Sequence, residues 1–125
     1  MAVLLDTSVL IAAETGPDQD SAISVVSLTE LHFGVLVARD EATRAHRMLR
    51  LGAIEAHFDA IPFDAVAARE CGRLHAAVAS RGGQPRRRAL DLAIAATANV
   101  QGVPLLTFNM KDFEIIADMV DLQRP

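Results

Sequence analysis

Short aliphatic runs alternate along the chain with longer stretches whose apolar residues recur at helical spacing. Residues 2–5, Ala-Val-Leu-Leu, form a continuous run that suits a strand buried on both faces. Asp6, Thr7 and Ser8 follow as helix-capping residues before an apolar segment at 9–13, so the chain opens strand, turn, helix. Residues 16–20 are a polar break, and 22–27 read as a second strand. Ser27 and Glu30 match a capping box, which predicts a helix over 28–39 with Glu30 in its first turn. Residues 40–58 are helical in composition, with a weak apolar stripe of Ala45, Met48, Leu49, Gly52 and Ala53. A short extended segment at 60–63 precedes a helix over 64–80, whose apolar positions are assigned to core and dimer surface. Residues 81–88, Arg-Gly-Gly-Gln-Pro-Arg-Arg-Arg, read as a flexible basic loop. A small-residue helix over 90–100 then stops at Gly102. A strand at 103–107, a short helix at 112–117 and a last short strand at 119–122 complete the pattern. This alternation predicts an α/β fold: a three-layer α/β/α sandwich with a mainly parallel central sheet, as one domain over residues 1–125.

In open parallel sheets the site lies outside the C-terminal strand ends. Four acids fall at element ends of this kind. Asp6 closes the first aliphatic run, Glu30 follows the second, Asp91 opens the small-residue helix, and Asp112 comes shortly after the third strand. Acids that converge repel one another, and a divalent cation is the usual remedy. The pattern therefore points to a Mg²⁺-dependent enzyme, with Mn²⁺ as a substitute and phosphodiesters as the substrate class.

Composition narrows this reading. Hydrophobic residues make up 51% of the 125, with no Trp or Tyr, which fits a globular aliphatic core and argues against disorder. The net charge of −4 argues against a protein that coats nucleic acid by charge alone. Arg86, Arg87 and Arg88 are the exception, standing just before Asp91 where they offer an RNA backbone contact. The single Cys71 excludes an internal disulfide and a Cys-based zinc site, and a reducing cytoplasm is expected. No apolar run reaches roughly 18 residues, so no membrane span is expected, and no basic region precedes the first run as in a secretory signal. His32, His46, His57 and His75 lack metal-site spacing.

Four motifs in order resemble the PIN-domain nucleases and, among them, the VapC-type ribonuclease toxins of type II toxin–antitoxin pairs. They are Leu-Leu-Asp-Thr-Ser-Val-Leu-Ile at 4–11, Ser-Leu-Thr-Glu-Leu-His-Phe-Gly at 27–34, Leu-Asp-Leu-Ala-Ile-Ala-Ala-Thr-Ala at 90–98, and Leu-Leu-Thr-Phe-Asn-Met-Lys-Asp-Phe at 105–113. The resemblance implies a Mg-dependent endoribonuclease that cleaves tRNA or rRNA with an activated water. It also implies a homodimer and a cognate VapB-like antitoxin that blocks the site. Asp6, Glu30 and Asp91 match the family's three most regular acidic positions. Many members carry a fourth acid at the position of Asn109, others at that of Asp112; Asp112 is taken here as the fourth catalytic and metal-binding acid. Ser8, Thr107 and Asn109 are supporting hydrogen-bonding groups.

Each residue also has a plainer reading. Asp6 and Asp112 could be ordinary caps or turn residues, Glu30 the reciprocal half of a capping box, and Asp91 a complement to its helix dipole. The arginines could be a solvated loop. A second function class also stays open: a catalytically silent PIN-like protein-binding module, favoured by the neutral Asn109. A receiver-type acidic pocket is disfavoured because Lys111 lies beyond its strand, and the chain lacks a phosphate-binding Gly-rich Lys-Ser/Thr loop.

Overall fold

The computed structural model describes residues 1–12 and 20–125. The polar break expected at 16–20 lies, apart from Asp20, outside the described residues. The chain runs β1 (Val3–Leu5), α1 (Thr7–Ala12), β2 (Ser21–Ala22), α2 (Val25–Leu36), α3 (Glu41–His57), α4 (Ala65–Ser80), α5 (Ala89–Gln101), β3 (Leu105–Leu106) and β4 (Leu122–Gln123). Turns of 3₁₀ helix at Pro85–Arg88 and Met110–Ile116 flank the last helix and strand. The sheet has the order β2-β1-β3-β4 and all its pairings are parallel.

The two-residue period of a strand explains the layering. Leu4 and Leu105 face a core built with Leu74 and Val78 of α4, Ile94 and Ala95 of α5, and Phe113. Val3, Leu5 and Leu106 face the opposite core, with Val9 and Leu10 of α1, Leu31 of α2, and Leu51 and Ile54 of α3. A sheet buried on both faces must be aliphatic throughout, as β1 is. The three-layer α/β/α architecture expected from the alternation is the one observed. No helix among the described residues is long and apolar enough to cross a membrane.

Several local expectations are corrected. The strand expected at 22–27 is confined to Ser21–Ala22, with one further bridge between Ser24 and Ile61 in the segment expected to be extended. Ser24 is the N-cap of α2, and its hydroxyl accepts from the Val26 amide at 3.0 Å. That local bond draws Val25, Val26 and Ser27 into the helix although Val25 and Val26 are β-branched. Ser27 is therefore inside α2 rather than capping it, and Glu30 lies in the second turn rather than the first.

The apolar stripe assigned to 45–53 is solvent-facing, with Met48 and Leu49 at 56% and 77% exposure. α3 packs instead through Leu51 and Ile54, and its Arg47 guanidinium donates to the Gly34 carbonyl at 2.7 Å. Phe33, Leu36 and Val37 at the end of α2 are exposed as well.

The helix over 64–80 forms as expected. Asp64 caps it by accepting from the Ala67 amide, and Ala67, Cys71, Leu74 and Val78 enter the core. Gly102 ends α5 in the left-handed region at φ 69°, as its position predicted. The basic segment at 81–88 is more ordered than a flexible loop. Arg81 donates to the Ile115 carbonyl and pairs with Asp118, and Gly83 donates to the Val78 carbonyl at 2.9 Å. A Cβ on Gly83 would lie 2.7 Å from Val78 Cγ1 and 2.8 Å from Ile115 Cδ1, so only glycine lets the loop seat this closely. The expected helix at 112–117 is a 3₁₀ turn starting at Met110, and the final strand falls at Leu122–Gln123 instead of 119–122.

Candidate functional site

The chain leaves β1 toward β2 on one side, and β3 pairs on the other, so the sheet has its switch point between β1 and β3. Asp6 stands at the end of β1 and Thr107 at the end of β3. Both are buried, and the Thr107 hydroxyl donates to Asp6 Oδ2 at 2.8 Å. The Ser8 hydroxyl donates to the same oxygen at 2.8 Å and accepts from the Phe108 amide at 3.1 Å. The Asn109 amide in turn donates to Thr107 Oγ1 at 2.9 Å. The loop after β3 is thereby tied to the turn after β1 through two hydroxyls and one carboxylate. Both hydroxyl bonds fall on Oδ2, and Oδ1 accepts none among the described residues.

Thr107→Val keeps the shape but removes a donor to Asp6 and an acceptor for the Asn109 amide. We expect a loss of about 1–3 kcal/mol in chemical denaturation. A loss near zero would show that water replaces both bonds.

Glu30 reaches this corner from α2. Its Oε1 accepts from the Thr7 hydroxyl at 2.9 Å, and Thr7 Oγ1 also lies 2.9 Å from the buried Ser27 hydroxyl. Glu30 therefore bonds to a residue distant in sequence rather than to its own helix end, so the capping-box reading fails. Burial raises its pKa above the ordinary carboxylate range and the charge of Asp6 adds to this, while the Thr7 bond lowers it.

Asp91 enters from the first turn of α5, which has no side-chain cap. Its pKa is pushed up to about 6, first by burial and then by the charges of Asp6, Glu30 and Asp112, against a lowering by Arg88. Asp6, Glu30 and Asp112 therefore each act electrostatically on Asp91. Asp112, in the second 3₁₀ turn, pairs with Arg88 at 3.0 Å, and the same guanidinium lies 3.8 Å from Asp91.

The geometry sorts the supporting residues. Ser8 and Thr107 act through their hydroxyls, and Asn109 through its backbone amide. Arg88 reaches the acids, whereas Arg86 is exposed with no contact to them. Thr7 and Ser27 were read only as helix-capping residues, yet Thr7 holds Glu30 and Ser27 bonds to Thr7. The signal for Thr7 was its place between two site residues, Asp6 and Ser8. Among the described residues no three carboxylate, imidazole or thiolate side chains are already gathered as a chelating group. The donor chemistry nevertheless fits a hard divalent cation. It consists of carboxylates only, with an unbonded Oδ1 on Asp6 and a mutual repulsion that a cation would relieve. Mg²⁺ commonly takes few protein ligands and keeps several waters, so a ready-made cage is not required.

A larger cavity of about 720 Å³ lies at the other end of α5, beside Asn99 and Gly102. On its wall Glu70 accepts from both Arg73 and Asn99 at 2.7 Å. It is remote from the acids in the fold.

The PIN domain family model matches residues 3–118. Ribonuclease VapC5 of Mycobacterium tuberculosis is 40% identical over 111 residues, covering 83% of this chain and 80% of that protein. Ribonuclease VapC of Rickettsia bellii is 31% identical over 137 residues, covering 100% and 98%. The crystal structure of VapBC-5, a member of the VapBC family of toxin–antitoxin systems from Mycobacterium tuberculosis, aligns with a TM-score of 0.82. The identity there is 36%, and the alignment covers 98% of this chain and 96% of that one.

Proposed function

The chain belongs to the PIN-domain family, and from that premise we propose that it is a VapC-type, metal-dependent endoribonuclease, the toxin of a toxin–antitoxin pair. The observation that supports the reading is the acidic end of the switch point, where Asp6 closes β1 and Asp91 is pushed up to about 6 by burial and by the charges of Asp6, Glu30 and Asp112. RNA, in the form of tRNA or rRNA, is the proposed substrate.

Asp6 and Asp91 would hold the cation, with Mg²⁺ preferred and Mn²⁺ substituting. Glu30 and Asp112 complete the mouth and would serve a second ion. When bound, the ion polarises the scissile phosphate and lowers the pKa of the attacking water. Glu30 is placed to orient that water and to take its proton. Its raised pKa makes it a better base than an ordinary surface carboxylate, and Thr7 fixes the carboxylate plane. Ser8 and Thr107 hold Asp6 in one rotamer, which keeps the ligand geometry preorganised. Of the three arginines read as an RNA backbone contact, Arg87 and Arg88 lie on the side of the acids and attract the backbone toward a site that is otherwise acidic, whereas Arg86 does not.

The proposed protein partner is a VapB-like antitoxin, and a homodimer is proposed as the assembly. The exposed Phe33, Leu36, Met48 and Leu49 offer apolar surface to such contacts. A cytoplasmic location is proposed with them.

The direct test is incubation of a pool of tRNA and rRNA with the purified protein and Mg²⁺ or Mn²⁺, alongside EDTA and Asp6→Ala controls. Discrete cuts that vanish in both controls are expected. An absence of cuts with well-folded, metal-loaded protein would shift the reading to a silent protein-binding module, for which the neutral Asn109 speaks.

A further inference from the structure

A cavity of about 450 Å³ is lined by Asp112 and lies between the 3₁₀ turn Pro85–Arg88 and the one that carries Asp112. We propose that this cavity is a subsite for the phosphate that flanks the scissile one on the bound RNA, gripped by Arg87 and Lys111. The proposal rests on the ribonuclease reading and adds to it a place and two residues.

Three cations line the cavity: Arg87, Arg88 and Lys111. Arg88 is committed to Asp112 at 3.0 Å. Arg87 and Lys111 form no ion pair among the described residues, so two cations project on a shared wall with one opposing acid, the exposed Glu114. In a chain of net charge −4 whose neighbouring site is built from four carboxylates, this excess of positive charge calls for an anionic ligand. The volume falls inside the roughly 300–1,000 Å³ range of small-ligand sites, enough for a nucleotide unit. Arg88 and Asp112 form the boundary shared with the acids, so an anion seated here lies next to the reacting centre.

The wall is also held in shape. Gly83 packs against Val78 and Ile115 on the cavity floor, and Arg81 ties the same loop to the Ile115 carbonyl and to Asp118. The cations thus project from an anchored loop and not from a free arm. Arg86, adjacent in sequence, is not on the wall. The geometry therefore separates two arginines that the sequence presents as equivalent, and it recruits Lys111 from a motif in which it had no role.

The test is fluorescence anisotropy with a labelled 12-nucleotide single-stranded RNA, using full-length protein in the Asp91→Asn background so that the probe is not cut. Arg87→Gln and Lys111→Gln should each weaken binding about two- to fivefold, the worth of one exposed ionic contact. Each should flatten the slope of log K against log salt by about 0.7. Glu114→Gln should tighten binding, and Arg86→Gln should change neither affinity nor slope. Equal losses for Arg86→Gln and Arg87→Gln would overturn the proposal in favour of a diffuse field. Unchanged slopes for Arg87→Gln and Lys111→Gln would overturn it as well. A protein that binds no RNA in any of these forms would sink the ribonuclease reading itself, a result distinct from either.

Discussion

Asp91→Asn is expected to leave a folded protein whose RNA cleavage falls on the order of 10³-fold, the scale set by losing one central electrostatic group. In EDTA the same variant is expected to be more stable than the wild type. Both effects follow from the same crowding. The pKa of the Asp91 carboxyl is pushed up to about 6 by partial burial and then by the charges of Asp6, Glu30 and Asp112, from an ordinary value of 3.8. The folded state therefore holds the proton more tightly than the unfolded one. Stability of the metal-free protein falls as pH rises from about 3.8 to about 6 and then levels off. Above that window the ionised Asp91 costs about 1–2 kcal/mol, less than the full shift implies because the carboxyl is partly solvated. Asparagine carries no such cost. Thermal unfolding in EDTA at pH 7.5 should thus show a rise of a few degrees for the variant, shrinking toward zero near pH 4. Adding Mg²⁺ should raise the wild type and leave the variant unmoved. A variant that is destabilised at every pH would mean Asp91 is structural, and one that cuts RNA at the wild-type rate would remove it from the site.

This opposition between activity and stability also explains how much could be read before the structure. Acids that end aliphatic runs are costly, so their positions are legible from pattern alone. Asp6, Glu30, Asp91 and Asp112 were singled out in this way, and the β1 run Val3–Leu5 and the α5 stop at Gly102 rest on equally local chemistry. The errors share a different cause. Val25 and Val26 are β-branched, yet one hydroxyl three-atom bridge at Ser24 turns them into a helix start. Met48 and Leu49 are as apolar as Leu51 and Ile54, and only the approach of α2 decides which pair is buried. The roles of Thr7, Ser27 and Arg88 depend on contacts with Glu30 and Asp112 across the fold, which no window of sequence contains.

The contribution of packing to the site is clearest at Phe113. Phe113→Ala is expected to cost about 3–5 kcal/mol, the range for deleting a buried aromatic ring. The side chain is fully buried in the core with Leu105, Ile116 and Val120, on the face of the sheet covered by α4 and α5. Its neighbour Asp112 is one of the four acids, and both sit in a 3₁₀ turn whose hydrogen bonds are poorer than those of an α-helix. Such a turn is held mainly by what it buries, here Phe113 and Ile116. Losing the ring should therefore loosen Asp112 and its pair with Arg88 along with the core. Total stabilities of such domains are about 5–15 kcal/mol, so the variant stands near the limit of folding at 37 °C. Urea unfolding followed by circular dichroism measures the cost, with Leu49→Ala on the exposed stripe as a reference expected to stay within about 0.5 kcal/mol. A Phe113→Ala loss below about 1 kcal/mol would show that the turn is held by its backbone and polar contacts instead. In that case Asp112 would owe its position to Arg88 and to the Asn109 carbonyl that accepts from its amide at 3.0 Å.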